Sequence, residues 1–307
     1  MVRHLISLDD VSDSALRDIV DRGVEFSHRA QAKPLAGKVV GVYFRRTSTR
    51  TRTAFSSGAL RLGAGIVAYG PDDLQLNTGE SSVDTGRVMS GMLDALVART
   101  AGDSAEMRAW ARQDRMAVVN LMSAEEHPTQ ALADLTTLVS HFGSVDGMRV
   151  LYVGEGNNTA AALALGLSRF RGTQLDLRTP PGFGVTPEIL SRASVHAGAH
   201  GSTVTERHDL ADLPRDFDVV YTTRWQTTGT SKSRADWRDV FAPFQVTQDL
   251  VDPTGKAVFM HDLPAHRGEE VTADVLDGPA SIAFQQAENK LYSAMAVLEW
   301  CCDASSA

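Results

Sequence analysis

The sequence predicts an α/β protein built from two doubly wound parallel-sheet domains, and three observations predict it. Apolar runs of strand length recur along the 307 residues. Most are separated by stretches with helical apolar spacing, the alternation that builds parallel sheets. The unusual polar residues gather just after the runs, and open sheets of this kind bind ligands beyond the carboxyl ends of their strands.

Four runs form the first set: "KVVGVYF" (38–44), "AGIVAYG", "LDALVAR" and "MAVVNLM", ending near Leu121. "TRTAFSSGALRLG" reads as a helix with Ala54, Phe55, Ala59 and Leu62 on one face, and "TGRVMSGML" as another. A helix from about Pro128 to Phe142 then meets the turn "GSVDG", which places a domain boundary there: 1–142 and 143–307. The second set is "MRVLYVG", "TQLDLRT", "FDVVYTT" and "KAVFMHDLP", with helices in "NTAAALALGLSRF" and "TPEILSRASVHAGAHG". "AENKLYSAMAVLEWCC" reads as a terminal helix, about 284–303, expected to pack back on the first domain.

Composition narrows the function. The 43% hydrophobic and 22% charged residues are ordinary for a globular chain, and a formal charge of -8 argues against nucleic acid as a partner. The two cysteines, Cys301 and Cys302, are adjacent and make neither a disulfide framework nor a metal pattern, so a reducing, cytoplasmic setting is expected. The opening segment is charged throughout and no stretch approaches about 18 apolar residues, so neither a signal peptide nor a membrane partner is expected.

Against that acidic balance, "FRRTSTRTRTAFSSG" interleaves four arginines with serines and threonines at a strand-to-helix junction. A solvated basic face is one reading. The other is an anion site, because unpaired backbone N–H groups and the helix dipole favour negative charge there. Further polar residues follow the other runs: Arg99, His127 and Gln130, Asn157 and Asn158, Arg224, His261 and Asp262. A ligand in a cleft between the two domains is expected from them. "HPTQ" (127–130) also reads as a plain loop with Pro128 at the first helical position. His261 and His266 lack ligand spacing, and no metal is expected. "GEGNNT" (154–159) with Asp176 on the next strand permits a dinucleotide site, although Thr159 stands where that fingerprint carries its third glycine.

Together, "STRTR" (48–52), "HPTQ", "GEGNN" and "HDLPAHRGEEVT…DGP…QAENKLY" (261–292) resemble the aspartate/ornithine carbamoyltransferase family across nearly the whole chain. The resemblance implies transfer of a carbamoyl group from carbamoyl phosphate to an amine, with no cofactor. It places Ser48, Thr49, Arg50 and Thr51 on the phosphate, and Arg99, His127 and Gln130 on the carbamoyl end, with Leu263 and Lys290 completing that set. Arg50, Arg99 and His127 are its catalytic residues, and Arg52 has a structural reading instead. Gln75, in the loop "LQLNTGES", is implied to reach a neighbouring subunit's site in a trimer or a multiple of trimers.

On the acceptor side the resemblance points to Asn158, Asp218, Thr222, Arg224, Gln226 and Asp262. The chain departs from the family here. The "SMG" of the ornithine enzymes is absent, "DVVYTTRWQ" is closer to the aspartate enzymes, Asp262 stands where a cysteine is expected, and Lys290 where an arginine is usual. An acceptor other than aspartate or ornithine is therefore expected, such as a shorter diamino acid or a specialised-metabolite precursor. The alternatives are an ordinary ornithine carbamoyltransferase, a family member that binds carbamoyl phosphate without turnover, and a dinucleotide-binding oxidoreductase.

Overall fold

Strands form where apolar and β-branched residues run together long enough to be buried on both faces, the condition that parallel pairing imposes. The computed structural model describes residues 2–28, 33–214, 216–227, 229–251 and 256–302. It divides into two units, Met1–Val139 with Glu288–Ala307, and Ser140–Ala287.

The first unit carries β1 (Val39–Phe44), β2 (Gly65–Tyr69), β3 (Ala95–Arg99) and β4 (Ala117–Met122), all parallel, in the order β2-β1-β3-β4. Its helices are α1 (Asp13–His28), α2 (Arg50–Arg61), α3 (Ser82–Met89), α4 (Ala105–Trp110) and α5 (Pro128–Phe142). The residues of β3 and β4 are all buried, whereas β2 lies at the sheet edge and is largely exposed. The chain runs outward from β1 to β2 and then returns to the other side of β1 for β3. That reversal opens a crevice at the carboxyl ends of β1 and β3.

The second unit carries β5 (Arg149–Val153), β6 (Gln174–Arg178), β7 (Thr203–Arg207), β8 (Val219–Thr222) and β9 (Val258–His261), all parallel, in the order β7-β6-β5-β8-β9. Its helices are α6 (Asn158–Leu167), α7 (Pro187–His200), α8 (Trp237–Phe241), α9 (Gln248–Val251) and α10 (Ala273–Leu276). Helix α11 (Ala283–Cys302) begins here and counts with the first unit from Glu288 onward. The direction reverses between β5 and β8, so the crevice of this unit lies after those two strands.

Strand β7 and helix α1 are among the elements that escape the apolar-run reading. Strand β7, "TVTER", has a single aliphatic residue and alternates in exposure, as an edge strand with one covered face does. Helix α1 buries Leu16, Ile19, Val20 and Phe26 but carries charges on every turn, which obscure the stripe.

Candidate active site

The arginines at the end of β1 divide by role. Arg45 donates to Glu106 at 2.7 Å and to the Tyr43 hydroxyl at 3.1 Å, and Arg52 lies 4.7 Å over the ring of Phe44. Both serve the fold. Ser48 and Arg50 are half-buried, Thr49 is exposed and Thr51 is buried. Thr49 occupies the N-cap of α2, yet its side chain makes no capping bond, so it does not use up the first-turn N–H groups. Helix start, hydroxyls and Arg50 thus present donors and positive charge at the carboxyl end of β1.

Arg99 ends β3, beside that point in the sheet. The pairing of β3 with β4 slips by one residue between Ala98 and Arg99, which re-aims the last side chain of the strand. Thr51, His127, Gln130 and Lys290 line a single recess of about 10 Å³, which has room for no more than a water. Lys290 donates to Gln130 Oε1 at 2.5 Å, and Gln130 Nε2 donates to Asp134 Oδ1 at 2.7 Å, which fixes the orientation of the amide. His127 is buried, with Nδ1 3.4 Å from Thr129 Oγ1. Burial, followed by the positive charges of Arg99 and Lys290, holds its imidazole well below the ordinary histidine range, so it is neutral. The turn before it is pinned by Glu126, whose carboxylate accepts from Leu8 N–H at 2.8 Å and Ser7 Oγ at 2.5 Å. Gln75 stands apart. It is exposed on a 3₁₀ turn with its Oε1 accepting from Thr78 Oγ1 at 2.9 Å.

In the second unit, Asn158 opens α6, Arg224 follows β8, and Asp262 and Leu263 follow β9, all at carboxyl ends. Arg224 is half-buried and has no ion-pair partner among the described residues. Asp262 accepts from Thr159 Oγ1 at 3.0 Å and Thr223 Oγ1 at 2.9 Å. Leu263, at φ 54°, donates its N–H to His261 Nδ1 at 2.8 Å, leaving Nε2 of that buried ring to donate to Glu270 at 3.2 Å. Three expected acceptor contacts are placed otherwise. Asp218 precedes β8 and accepts from Arg149 N–H at 2.8 Å, at the opposite end of the strand, on the order of 13 Å from its carboxyl end. Thr222 donates to Val153 O at 2.5 Å, and Gln226 Nε2 donates within its own loop to Thr230 O at 2.8 Å.

The dinucleotide alternative fails on geometry. Gly156 N–H donates to Phe183 O at 2.7 Å, and a Cβ on Gly156 would fall 2.2 Å from Gly184 C and Val185 N, so the chain itself fills the turn. Asn157 Oδ1 accepts from Thr159 and Ala160 N–H and caps α6, while Asp176 is held by Arg178 through two 2.8 Å bonds. Neither the phosphate seat nor the ribose acid is available.

A model described as "Aspartate/ornithine carbamoyltransferase, carbamoyl-P binding domain" matches residues 3–140, and one described as "Aspartate/ornithine carbamoyltransferase, Asp/Orn binding domain" matches 146–301. The chain belongs to the aspartate/ornithine carbamoyltransferase family. It is 39% identical to an ornithine carbamoyltransferase of Symbiobacterium thermophilum over 303 residues, covering 96% of both chains. The ornithine carbamoyltransferase of Bacillus subtilis is 35% identical over 298 residues, 97% of this chain and 93% of that one. Among solved structures, ornithine carbamoyltransferase from Pyrococcus furiosus superposes with a TM-score of 0.91 at 36% identity, covering 97% of this chain and 96% of that one.

As a carbamoyltransferase the chain is a transferase. The reaction needs donors at a leaving phosphate and at a carbonyl oxygen that gains charge, and the first unit supplies groups of both kinds. Sequence reasoning missed Glu126, Asp134, Thr159 and Thr223. Of these, Glu126, Thr159 and Thr223 had a signal, each adjoining a residue already singled out.

Proposed function

We propose that this chain transfers the carbamoyl group of carbamoyl phosphate to an amine of ornithine. The cluster at 48–51 on the uncapped start of α2 carries the donor half of this reading. Arg50 meets the phosphate with its planar fork, Ser48, Thr49, Thr51 and backbone N–H groups take the remaining lone pairs, and Arg99 with neutral His127 receives the charge developing on the carbonyl oxygen. Gln130 and Lys290 hold the carbamoyl end.

For the acceptor, the relatives named above support ornithine, and the expectation of a different amine finds no support in them. Local chemistry agrees. Arg224 suits a carboxylate, and the Asp262 carboxylate suits a second ammonium group, which ornithine has and aspartate lacks. The attacking amine has an ordinary pKa of about 10.4, so freeing it at pH 7 costs about 4 to 5 kcal/mol, and the departing phosphate is a ready base for its proton.

Val67 on the edge strand β2 and Val83, Val88 and Met92 in and after α3 are exposed apolar side chains of the first unit, which supports self-association, and the assembly proposed is a trimer with Gln75 reaching a neighbour. No helix among the described residues is long and apolar enough to cross a membrane, and Cys301 and Cys302 are free thiols, in keeping with a cytoplasmic enzyme. The deciding experiment supplies carbamoyl phosphate with ornithine, aspartate or shorter diamino acids and measures ureido product and phosphate. Ornithine is expected to be preferred. Turnover with a shorter diamino acid and none with ornithine would overturn the reading.

A further inference from the structure

The stretch between β8 and α8 contains Arg224 and Gln226, and among its described residues it has no helix or strand. Such a stretch is placed by its side chains. One anchor is Trp225, buried against Phe241 at 5.7 Å between ring centroids, with Trp237 edge-on to Phe241 at 5.5 Å. The other is Lys232. Its side chain is only 4% exposed, and its ammonium lies 4.7 Å from the ring centroids of Phe183 and Phe241 and 5.5 Å from that of Trp237. It also donates to Glu155 Oε1.

The second carboxylate oxygen of Glu155 accepts from Thr227 Oγ1 at 3.0 Å, and Thr227 Oγ1 accepts from Asn157 Nδ2 at 2.9 Å. Asn157 is the residue that caps α6. A continuous chain of polar contacts therefore runs from Lys232 to the turn that presents Asn158. Three aromatic faces and one carboxylate make a favourable enclosure for a desolvated ammonium. They also close it off. A lysine that read a substrate carboxylate directly would keep its charge accessible, and this one is paired with Glu155 and covered.

We propose that Lys232 is a positioning residue for acceptor recognition, fixing Arg224 relative to the start of α6 by clamping Glu155, Thr227 and the aromatic cluster together. The inference rests on the reading of Arg224 as the group that meets the acceptor carboxylate. Lys232 itself acts at one remove. Without its charge, Glu155 would remain partly buried and uncompensated, and the segment would lose its second anchor.

The test uses the full-length enzyme and three variants, Lys232→Met, Lys232→Arg and Thr227→Ala, with each substrate varied while the other is saturating and with tryptophan emission recorded in parallel. Lys232→Met is expected to raise KM for ornithine about tenfold or more, to leave KM for carbamoyl phosphate within about twofold, and to shift tryptophan emission as Trp237 loses its cation. Lys232→Arg is expected to recover part of the loss because it restores the charge. Thr227→Ala keeps the ion pair intact and should raise the ornithine KM by a smaller factor, so it decides the matter if Lys232→Met does not fold. An ornithine KM unchanged in both Lys232→Met and Thr227→Ala overturns the proposal, as does an equal rise in both KM values. If the wild-type enzyme turns over another amine instead, ornithine has failed as the acceptor, and the same split measured with that amine still tests Lys232.

Discussion

The Thr223 hydroxyl donates to the Asp262 carboxylate at 2.9 Å, joining the residue after β8 to the residue after β9. Thr159 occupies the other oxygen, and both threonines are 2% exposed. Asp262 is therefore a built-in carboxylate held by two buried hydroxyls, while Arg267 pairs with Asp277. Asp262→Ala would leave those hydroxyls without this acceptor, and a loss of about 1 to 3 kcal/mol is expected in urea denaturation. The KM for ornithine should rise as well. Wild-type stability and acceptor kinetics in Asp262→Asn would show that the charge is immaterial.

Arg50→Ala should lower turnover by about two to three orders of magnitude while leaving the fold intact, as removal of a charge-stabilising donor does. Lysine at this position should rescue poorly because it lacks the planar fork. Steady-state rates at saturating carbamoyl phosphate, with circular dichroism as the control for folding, check both. Near-native turnover would remove the phosphate cradle from consideration.

His127 sets a pH dependence of stability. Its folded pKa lies below the unfolded value, so as pH falls the unfolded chain takes up the proton first. The contribution is complete above a pH of about 6.5 and is lost as the pH drops from there toward the folded pKa, at no more than about 1.4 kcal/mol per pH unit. Denaturation of wild type and His127→Gln between pH 7.5 and 5.5 should show the steeper decline in wild type. Parallel slopes would mean that the imidazole takes up its proton as readily in the fold as in the unfolded chain.

Asp134 is fully buried and orients the Gln130 amide. Asp134→Ala should cost about 1.5 to 3 kcal/mol, the range for hydrogen bonds to charged groups, and should raise KM for carbamoyl phosphate more than KM for ornithine. Equal effects on both substrates would reduce Asp134 to a packing role.

For assembly, the expected species in sedimentation is a trimer or a multiple of trimers. Mixing Arg50→Ala protein with Gln75→Ala protein under conditions of subunit exchange should restore activity through hybrid sites. A fully active monomer would exclude the arrangement.

The eight apolar runs each became a strand, and all but the largely exposed edge strand β2 are mostly buried, which leaves a continuous hydrophobic signal. β7 left none, since an exposed edge needs few apolar residues. Position along a strand was harder to read than its existence. Asp218 and Arg224 flank the same four-residue strand, yet only Arg224 is at the ligand-binding end, and a motif match alone does not distinguish the two ends. Partners distant in sequence leave no local sign, although the family resemblance had put Gln130 and Lys290 in one set. Lys290 meets Gln130 across 160 residues and Lys232 meets Glu155 across 77, and nothing local announces either pair.

The division of α11 between the two units has a consequence for synthesis. The first unit is sealed by residues made after the whole second unit: Glu299 receives two bonds from Arg22, and Asn289 donates to Thr137. The second unit is continuous from Ser140 to Ala287. On the ribosome, then, the segment translated second has everything it needs to fold before the one translated first. The early segment waits with a stripe on α5 uncovered, and during that interval it is the part of the chain exposed to chaperones and to aggregation.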